Sequence, residues 1–313
     1  MPAPDSPPDD LQGVVSVSVV IPHHGDPEPT LALLRQLKAQ TSPAQLVVAD
    51  DASETPFPEV EGVEVVRRSR NGGFGSAVNS GAEAATGAAL LVLNSDLSIE
   101  PTFVAEMAAA AARHPRSVLA PRVVDDTGAE AWIARDFPRV RHQMTAWLTP
   151  LARWRHTHAW HRAVGHNVAA RASESTVDWV VGAAMWIPTA EFRAVGGFDE
   201  RFFMNSEEVD LQRRLTARGV SSVALRSPTV IHAGGGSSPS ASRRRWLAEG
   251  QLTYAAKWGS RRPLQAALIA ATGANFVVNV LRRAAGRDTE PVRVARHEMA
   301  IITGVPETPR PTE

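Results

Sequence analysis

Three carboxylates stand within four consecutive residues, at Glu207, Glu208 and Asp210, just after an apolar segment at 202–204. They open a predicted helix, and the positive end of a helix dipole favours ionised carboxylates. An ionised carboxylate within hydrogen-bond reach of a hydroxyl can remove its proton, so this cluster is a candidate general base. A structural alternative is a capping box, because Glu208 lies three residues after Asn205.

A second set of side chains could hold a divalent cation. Asn94, Ser95 and Asp96 directly follow the apolar strand predicted at Ala89 to Leu93. One hard carboxylate, aided by substrate phosphates, is a usual way of holding Mg²⁺ or Mn²⁺. His232 ends another predicted strand, before three glycines, where an imidazole could ligate the metal or contact a phosphate. The alternatives are a helix cap at Asp96 and an incidental histidine.

Polar and glycine-rich segments after two further predicted strands could bind a nucleotide. Asp50, Asp51 and Ser53 follow the strand at Leu46 to Ala49, and the loop Asn71 to Gly81 lies between a strand and a helix. Ligands in open α/β sheets bind outside the carboxyl ends of the strands, and backbone amides at a helix start can approach an anion. A simple turn and a flexible loop are the structural alternatives.

The glycine-rich loop does not match the common phosphate-binding fingerprints. Gly73 and Gly75 fill the first two positions of G-x-G-x-x-G, but Val78 occupies the third, and no lysine follows as a P-loop requires.

The elements that would position these residues alternate between strand and helix, which predicts a doubly wound α/β sheet. Pro22 is predicted to end the first strand and Gly219 to end the helix that begins at Glu207. Strands are predicted at Val14 to Ile21, Leu46 to Ala49, Val63 to Val66, Ala89 to Leu93 and Val177 to Ile187; helices are predicted at Thr30 to Gln40, from Ser76, from Pro101 and at Glu207 to Arg218.

Composition narrows the class of protein. The 313 residues contain 33 basic and 33 acidic side chains, so no global charge favours nucleic acid as a partner. There is no cysteine, which excludes disulfides and thiolate chemistry. We expect a disordered lead-in at 1–13 and a cytoplasmic protein, because the first residues lack the pattern of a signal peptide. The main domain is predicted at 14–236, with a Trp- and Arg-rich, partly helical insertion at about 125–175.

A helical extension is predicted at 237–290, followed by a tail at 291–313. Within the helical extension, the stretch Leu264 to Leu281 is uncharged. At about 100° per residue its polar side chains fall in one stripe, which makes the helix amphipathic. It could lie at the inner face of the cell membrane as a peripheral contact, or pack on its own domain. The stripe comprises Arg261, Gln265, Thr272, Asn275, Asn279 and Arg283.

Taken in order, these segments resemble the family 2 glycosyltransferases, particularly their bacterial rhamnosyltransferase-like branch. The resemblance covers roughly Val14 to Trp258, and its longest match is GGFDERFFMNSEEVDL at Gly196 to Leu211. It implies a GT-A fold, with a mostly parallel, Rossmann-like sheet flanked by helices, and a nucleoside-diphosphate sugar as donor. The other matching segments are Asp50 to Ser53, Asn71 to Gly81, Leu93 to Asp96 and Trp179 to Ala183.

The resemblance also implies residue roles. Asp96 and His232 would hold Mg²⁺ or Mn²⁺ at the diphosphate, and Glu208 would stand at the position of the catalytic base, flanked by Glu207 and Asp210. The nucleotide-sugar pocket would comprise Pro22, His23, Asp50, Ser53, Asn71, Gly73, Phe74, Asn79, Asn94, Ser95, Trp179 and Gly182.

This sequence departs from the family pattern where Glu208 replaces an aspartate, where Ser95 replaces a proline and at Pro22-His23-His24-Gly25. The hypothesis is an inverting transfer of a sugar, from dTDP-rhamnose or a UDP-sugar, to a glycan or polyprenyl-linked acceptor. Two alternatives stay open at this point: a catalytically degenerate nucleotide-sugar-binding module, and a nucleotidyltransferase.

Overall fold

A computed structural model describes residues 15–232 and 240–304. Its first half is a parallel sheet with strands in the order β3-β2-β1-β4, and the carboxyl ends of these strands meet at one edge. The elements are β1 (Val17–His23), α1 (Glu28–Lys38), β2 (Gln45–Asp50), β3 (Glu64–Arg67), α2 (Phe74–Ala84) and β4 (Ala89–Leu93).

The second half makes the sheet mixed, because β10 runs antiparallel between β4 and β6 while β11 runs parallel to β6. Short 3-10 turns lie at Thr149–Trp154 and Ala169–Arg171. The elements are β5 (Leu97–Ser98), α3 (Phe103–Arg113), β6 (Ser117–Val124), β7 (Ala134–Arg135), α4 (Val140–Trp147), α5 (His158–Ala163), β8 (Ser175–Val177), β9 (Trp179–Val180), β10 (Ala184–Pro188), α6 (Thr189–Ala194), α7 (Glu207–Thr216) and β11 (Ser221–His232).

The sheet is buried on both faces, as the unbroken apolar strands predict. Every residue of β4 is buried, and Val19, Val20 and Ile21 of β1 have no exposed surface. Helices α1, α2 and α3 contribute Leu33, Val78 and other apolar residues to the same core. The α/β fold class is therefore confirmed.

Two predicted strand boundaries are wrong. Pro22 does not end β1, which continues to His23 with Pro22 paired to Ala49. Beyond Val20 the strand pairs only with β2, and a residue without an N–H is tolerated at such an edge. The strand predicted at Val177 to Ile187 is broken at 178 and at 181–183. As a result β8 pairs with β11, β9 pairs with β7, and β10 joins the main sheet beside β4.

The last elements in the described residues are three helices, α8 (Ser240–Lys257), α9 (Arg261–Ala284) and α10 (Pro291–Thr303). They form a separate apolar cluster that includes Leu264 and Leu268 of α9 and packs on Trp147 of α4. By length and composition alone, α9 could cross a membrane. The predicted domain limits stay predictions; residues 1–14, including the start of the predicted first strand, the glycines at 234–236 and the tail beyond 304 lie outside the described residues.

Candidate active site

Asp50 orders the loop that follows β2. Its carboxylate accepts hydrogen bonds from the backbone N–H groups of Ser53 at 2.9 Å and Phe57 at 3.0 Å, and it pairs with Arg67. Asp50 has no exposed surface. This position argues against the direct nucleotide contact predicted for Asp50, because its carboxylate is buried and already hydrogen-bonded.

Asp51 holds the glycine-rich loop. Its carboxylate accepts hydrogen bonds from the backbone N–H groups of Gly72 at 3.0 Å and Gly73 at 2.7 Å, and Arg68 pairs with it at 2.8 Å. The sequence places Asp51 beside Asp50 after the second strand, but the predicted nucleotide-sugar pocket did not include Asp51. The two adjacent carboxylates hold different segments: Asp50 binds the turn that follows β2, and Asp51 binds the loop that leads into α2.

The glycine-rich loop also contacts the segment that leads into α7. Gly73 has a φ of +86°, and a Cβ added there would stand 1.7 Å from the carbonyl oxygen of Phe203. Phe74 donates its N–H to the same oxygen at 3.2 Å. Only glycine fits this close approach, so the loop and the start of α7 form one wall of the site.

The remaining predicted pocket residues lie around this wall. Asn79 bonds the backbone of Phe198 through both ends of its amide, at 2.9 and 2.8 Å, so it joins α2 to the segment before α7. His23 is buried and bonds Thr30 at 2.8 Å, while Asn71 reaches His24 at 3.2 Å. Ser53 accepts a hydrogen bond from the N–H of Gly25 at 3.0 Å.

Asp96 and His232 meet because β11 pairs with β5, which places His232 beside Leu97. The Asp96 carboxylate lies 3.1 Å from Nε2 of His232, and both side chains are partly exposed. Burial alone would raise the pKa of Asp96, but His232 outweighs it and the net shift is downward. Asp96 raises the pKa of His232.

This pair fits a divalent cation, since it offers a carboxylate oxygen and an imidazole nitrogen at one point. In the part of the chain described, no three His, Cys, Asp or Glu side chains cluster as a metal site. The protein would thus supply two ligands and leave the others to water and substrate phosphates.

The backbone at 182–183 links the Asp96 segment to Glu208. Asn94 donates its N–H to the carbonyl of Ala183 at 2.9 Å, while the Cβ position of Gly182 lies 3.6 Å from Cβ of Glu208. The break between β9 and β10 therefore brings the two predicted catalytic segments to one edge of the sheet. Trp179 flanks this break and donates its indole N–H to the carbonyl of Asp136 at 3.0 Å.

Burial and a neighbouring arginine shift the pKa of Glu208 in opposite directions. Its Oε2 is buried without a hydrogen-bond partner among the described residues, and burial raises its pKa. The charge of Arg135 acts in the opposite direction. Burial lowers the pKa of Arg135 to about 10, so this guanidinium stays charged at neutral pH. Sequence reasoning missed Arg135, because nothing local marks an arginine in a two-residue strand as a neighbour of α7.

Glu207 packs against the glycine-rich segment at the start of α2. Its side chain is 4% exposed, and its Cβ lies 3.6 Å from the Cβ position of Gly75. Burial and then the charge of Glu208 raise its pKa well above the usual 4.5. Arg135 favours the ionised form of Glu208, so Glu208 is the better placed of the two carboxylates to act as a base.

Replacing Glu207 by Gln should therefore stabilise the fold more at pH 8 than at pH 5. When the pKa of a carboxyl is higher in the folded state than in the unfolded state, its contribution to the free energy of unfolding is fully present below the unfolded pKa, here 4.5. That contribution is lost as pH rises through the folded-state pKa. Gln has no charge to bury; a gain of about 1–3 kcal/mol is typical for one poorly accommodated buried polar group. Thermal unfolding across this pH range measures the difference. The exposed Glu59→Gln change should show none, and an E207Q effect independent of pH would contradict the assignment.

The turn before α7 is strained. Asn205 and Ser206 adopt consecutive left-handed conformations, with φ of +68° and +71°, which non-glycine residues rarely do. No side-chain cap forms at Ser206, so the alternative that Asn205 and Glu208 make a capping box is not observed. Gly250 of α8 supports the turn, since a Cβ there would stand 2.3 Å from the carbonyl oxygen of Asn205.

Asp210 belongs to a buried ion-pair network. It has no exposed surface, and its carboxylate bonds Arg214 at 2.9 Å, Lys257 at 2.8 Å and the indole N–H of Trp258 at 3.0 Å. This position argues against the catalytic role predicted for Asp210, because its oxygens are occupied. It fixes α7 against α8 instead.

The mixed sheet, the Asp96 carboxylate after β4, the His232 imidazole at the end of β11 and the carboxylates at the start of α7 define a GT-A glycosyltransferase. Residues 18–172 match the family described as Glycosyl transferase family 2. The chain is 32% identical over 212 residues to N-acetylglucosaminyl-diphospho-decaprenol L-rhamnosyltransferase of Mycobacterium tuberculosis (strain ATCC 25618 / H37Rv), covering 62% of this chain and 68% of the relative. The protein thus belongs to glycosyl transferase family 2.

A shorter match links the chain to rhamnosyltransferase WbbL of Escherichia coli (strain K12), with 42% identity over 48 residues, or 15% of this chain and 18% of the relative. The fold is similar to GalNAc-T7 with UDP, GalNAc and Mn²⁺, with a TM-score of 0.51, 18% identity and 74% of this chain covered. The match spans only 48% of the GalNAc-T7 chain. The fold is also similar to mannosyltransferase PcManGT from Pyrobaculum calidifontis in complex with GDP-Man and Mn²⁺, with a TM-score of 0.50 and 14% identity. That match covers 97% of this chain and 80% of the PcManGT chain.

Proposed function

We propose that this protein is an inverting, metal-dependent rhamnosyltransferase that uses dTDP-rhamnose and a polyprenyl-linked acceptor in cell-envelope assembly. The observation that carries the proposal is the link through 182–183, which brings Glu208 and the Asp96–His232 pair to the same edge. The choice of sugar and acceptor rests on similarity to the mycobacterial relative, whose name specifies L-rhamnose and N-acetylglucosaminyl-diphospho-decaprenol.

The proposed reaction is a single in-line displacement. The acceptor oxygen bonds to the anomeric carbon as the bond from that carbon to the diphosphate oxygen breaks, and the bonding electrons leave with the diphosphate. Glu208 takes the acceptor proton. One displacement inverts the anomeric configuration.

Each part of the site has a stated task in this proposal. Asp96 and His232 would hold Mn²⁺ or Mg²⁺, which would supply charge that stabilises the departing diphosphate. The imidazole ligand favours Mn²⁺, because nitrogen donors suit transition metals better than Mg²⁺. Asp51 holds the glycine-rich loop in place beside the donor through the backbone N–H groups of Gly72 and Gly73. Arg135 favours the ionised form of Glu208 and so opposes the effect of burial on its pKa.

A donor and acceptor assay tests the proposal. The protein is incubated with Mn²⁺, an N-acetylglucosaminyl-diphosphate lipid and either dTDP-rhamnose, UDP-glucose or UDP-N-acetylglucosamine. We expect dTDP to be released only when dTDP-rhamnose is the donor. We also expect the product to have the inverted anomeric configuration, as read by NMR. In a parallel incubation with a nucleoside triphosphate and a sugar 1-phosphate, release of pyrophosphate would instead indicate a nucleotidyltransferase. Thermal stabilisation by nucleotide sugars without any turnover would indicate a degenerate binding module.

A further inference from the structure

The inward face of helix α9 carries the middle of the polar stripe together with Leu264 and Leu268, and the opposite, apolar face points outward. Thr272 and Asn275, in the middle of the stripe, are 3% and 1% exposed. The opposite face carries large apolar side chains in contact with solvent. These are Ile269 at 42%, Phe276 at 36%, Val277 at 56%, Val280 at 42% and Leu281 at 64% exposure.

The buried stripe is fixed by hydrogen bonds to neighbouring elements. Thr272 accepts a hydrogen bond from the indole N–H of Trp147 at 2.9 Å and donates to Glu298 of α10 at 2.8 Å. Asn275 accepts from the N–H of Thr149 at 3.0 Å and donates to the carbonyl of Trp147 at 3.0 Å. Rotating α9 to bury its apolar face would break these bonds, so the outward orientation belongs to the fold.

Arginines border the apolar face at both ends. Arg261 and Arg262 begin α9, Arg282 and Arg283 close it, and all four are exposed. Between Arg262 and Arg282 the helix carries no charged residue. A continuous apolar face bounded by cations matches the boundary between anionic headgroups and acyl chains.

We propose that this face of α9 docks on the surface of a membrane containing anionic lipids, with the helix lying in the plane of the interface. The charge at both ends selects this occupant over a second copy of the chain, whose identical face would bring arginines against arginines. The bonds of Thr272 and Asn275 select it over a spanning helix, which would have to leave the domain. The inference goes beyond the proposed function and does not require it.

Flotation with lipid vesicles tests the docking. The full chain should float with phosphatidylcholine vesicles that contain phosphatidylglycerol, bind weakly to phosphatidylcholine alone, and dissociate at high salt. Val277→Glu with Leu281→Glu should lower binding about tenfold or more, because both changes place charge on the apolar face. The matched control is Val15→Glu with Ala112→Glu, which adds the same charge at exposed positions on other elements.

Two further measurements make the result independent of that variant. Arg282→Gln with Arg283→Gln should weaken binding about 25-fold, at about fivefold per arginine. Because the chain has no cysteine, Val280→Cys can carry a single polarity-sensitive fluorophore. Its emission should shift to the blue on anionic vesicles, whereas the same label at Ala112→Cys should not change.

Several results would overturn the proposal. They are failure of the wild-type chain to float, equal flotation of the Val277→Glu/Leu281→Glu variant, or an unchanged Val280→Cys label. Concentration-dependent dimers that this variant dissociates, without vesicle binding, would assign the face to a second copy. Retention in vesicles at high salt would assign α9 as a span. None of these readouts uses sugar transfer, so failure of the proposed function leaves them intact.

Discussion

Replacing Glu208 by Gln should lower the rate of sugar transfer by about 10²- to 10⁴-fold, which is the usual contribution of a general base. Gln keeps the size of the side chain beside Gly182 but cannot accept the acceptor proton. Binding of the nucleotide sugar should change little, because the proposed donor pocket is lined by the glycine-rich loop that Asp51 holds, and not by Glu208. Release of nucleoside diphosphate measures the rate, and circular dichroism checks the fold.

The pH profile distinguishes a base from a structural residue. Burial raises the pKa of Glu208, so wild-type transfer should fall as pH drops through that raised pKa, where the base becomes protonated. The residual activity of E208Q should lack this limb. Glu59→Gln, at an exposed position, is the matched control. Wild-type rates in E208Q would assign the base elsewhere.

The conservative variant tests why the chain has Glu where the family pattern has Asp. Glu208→Asp shortens the side chain by one methylene, and a displacement of about 1 Å can cost about 100-fold in rate. Partial activity in Glu208→Asp, compared with the activity of Glu208→Gln, would distinguish a misplaced base from an absent one.

Replacing Asp96 by Asn should lower transfer by about 10²- to 10³-fold, a loss typical of removing one preorganised electrostatic partner from the leaving group. It should also abolish stabilisation of the fold by Mn²⁺ with nucleoside diphosphate, because Asn supplies no charge to the cation. Differential scanning fluorimetry with and without Mn²⁺ measures this directly.

Asp126→Asn removes the same charge from an exposed turn and is the control for this second series. His232→Gln should give a smaller loss of Mn²⁺ affinity than Asp96→Asn, because it removes a neutral ligand and keeps the carboxylate. Full Mn²⁺-dependent stabilisation in Asp96→Asn would reject the pair Asp96–His232 as the cation site.

Local sequence was sufficient where one strand or helix settles the matter. The run Ala89 to Leu93 predicted β4 at its observed limits, and Asp96 follows it closely. The carboxylates at Glu207 and Glu208 begin α7 at the predicted residue. Periodicity also located the polar stripe of α9, with Thr272 and Asn275 on one side. These features depend on contacts within a few residues, which composition and spacing encode.

Only the tertiary structure decided which carboxylates are available. Asp50 and Asp210 have the residue type and spacing of ligand-binding groups, yet both have no exposed surface and are held by Arg67 in one case and by Lys257 and Arg214 in the other. Arg67 and Lys257 come from other elements. A partner distant in sequence leaves no local pattern, so burial of a carboxylate could not be read from the chain.

The sequence by itself determined the α/β class, the positions of Asp96 and Glu208 at element ends, and the amphipathic character of α9. Tertiary structure decided that the break at 181–183 brings Asp96 and Glu208 to one edge and that Arg135 acts on Glu208. It also decided that the face of α9 carrying Thr272 and Asn275 is the buried one. The physical reason is the same in each case. Periodicity states which residues share a face, but only packing against distant elements, here Trp147 and Glu298, states which face loses its water.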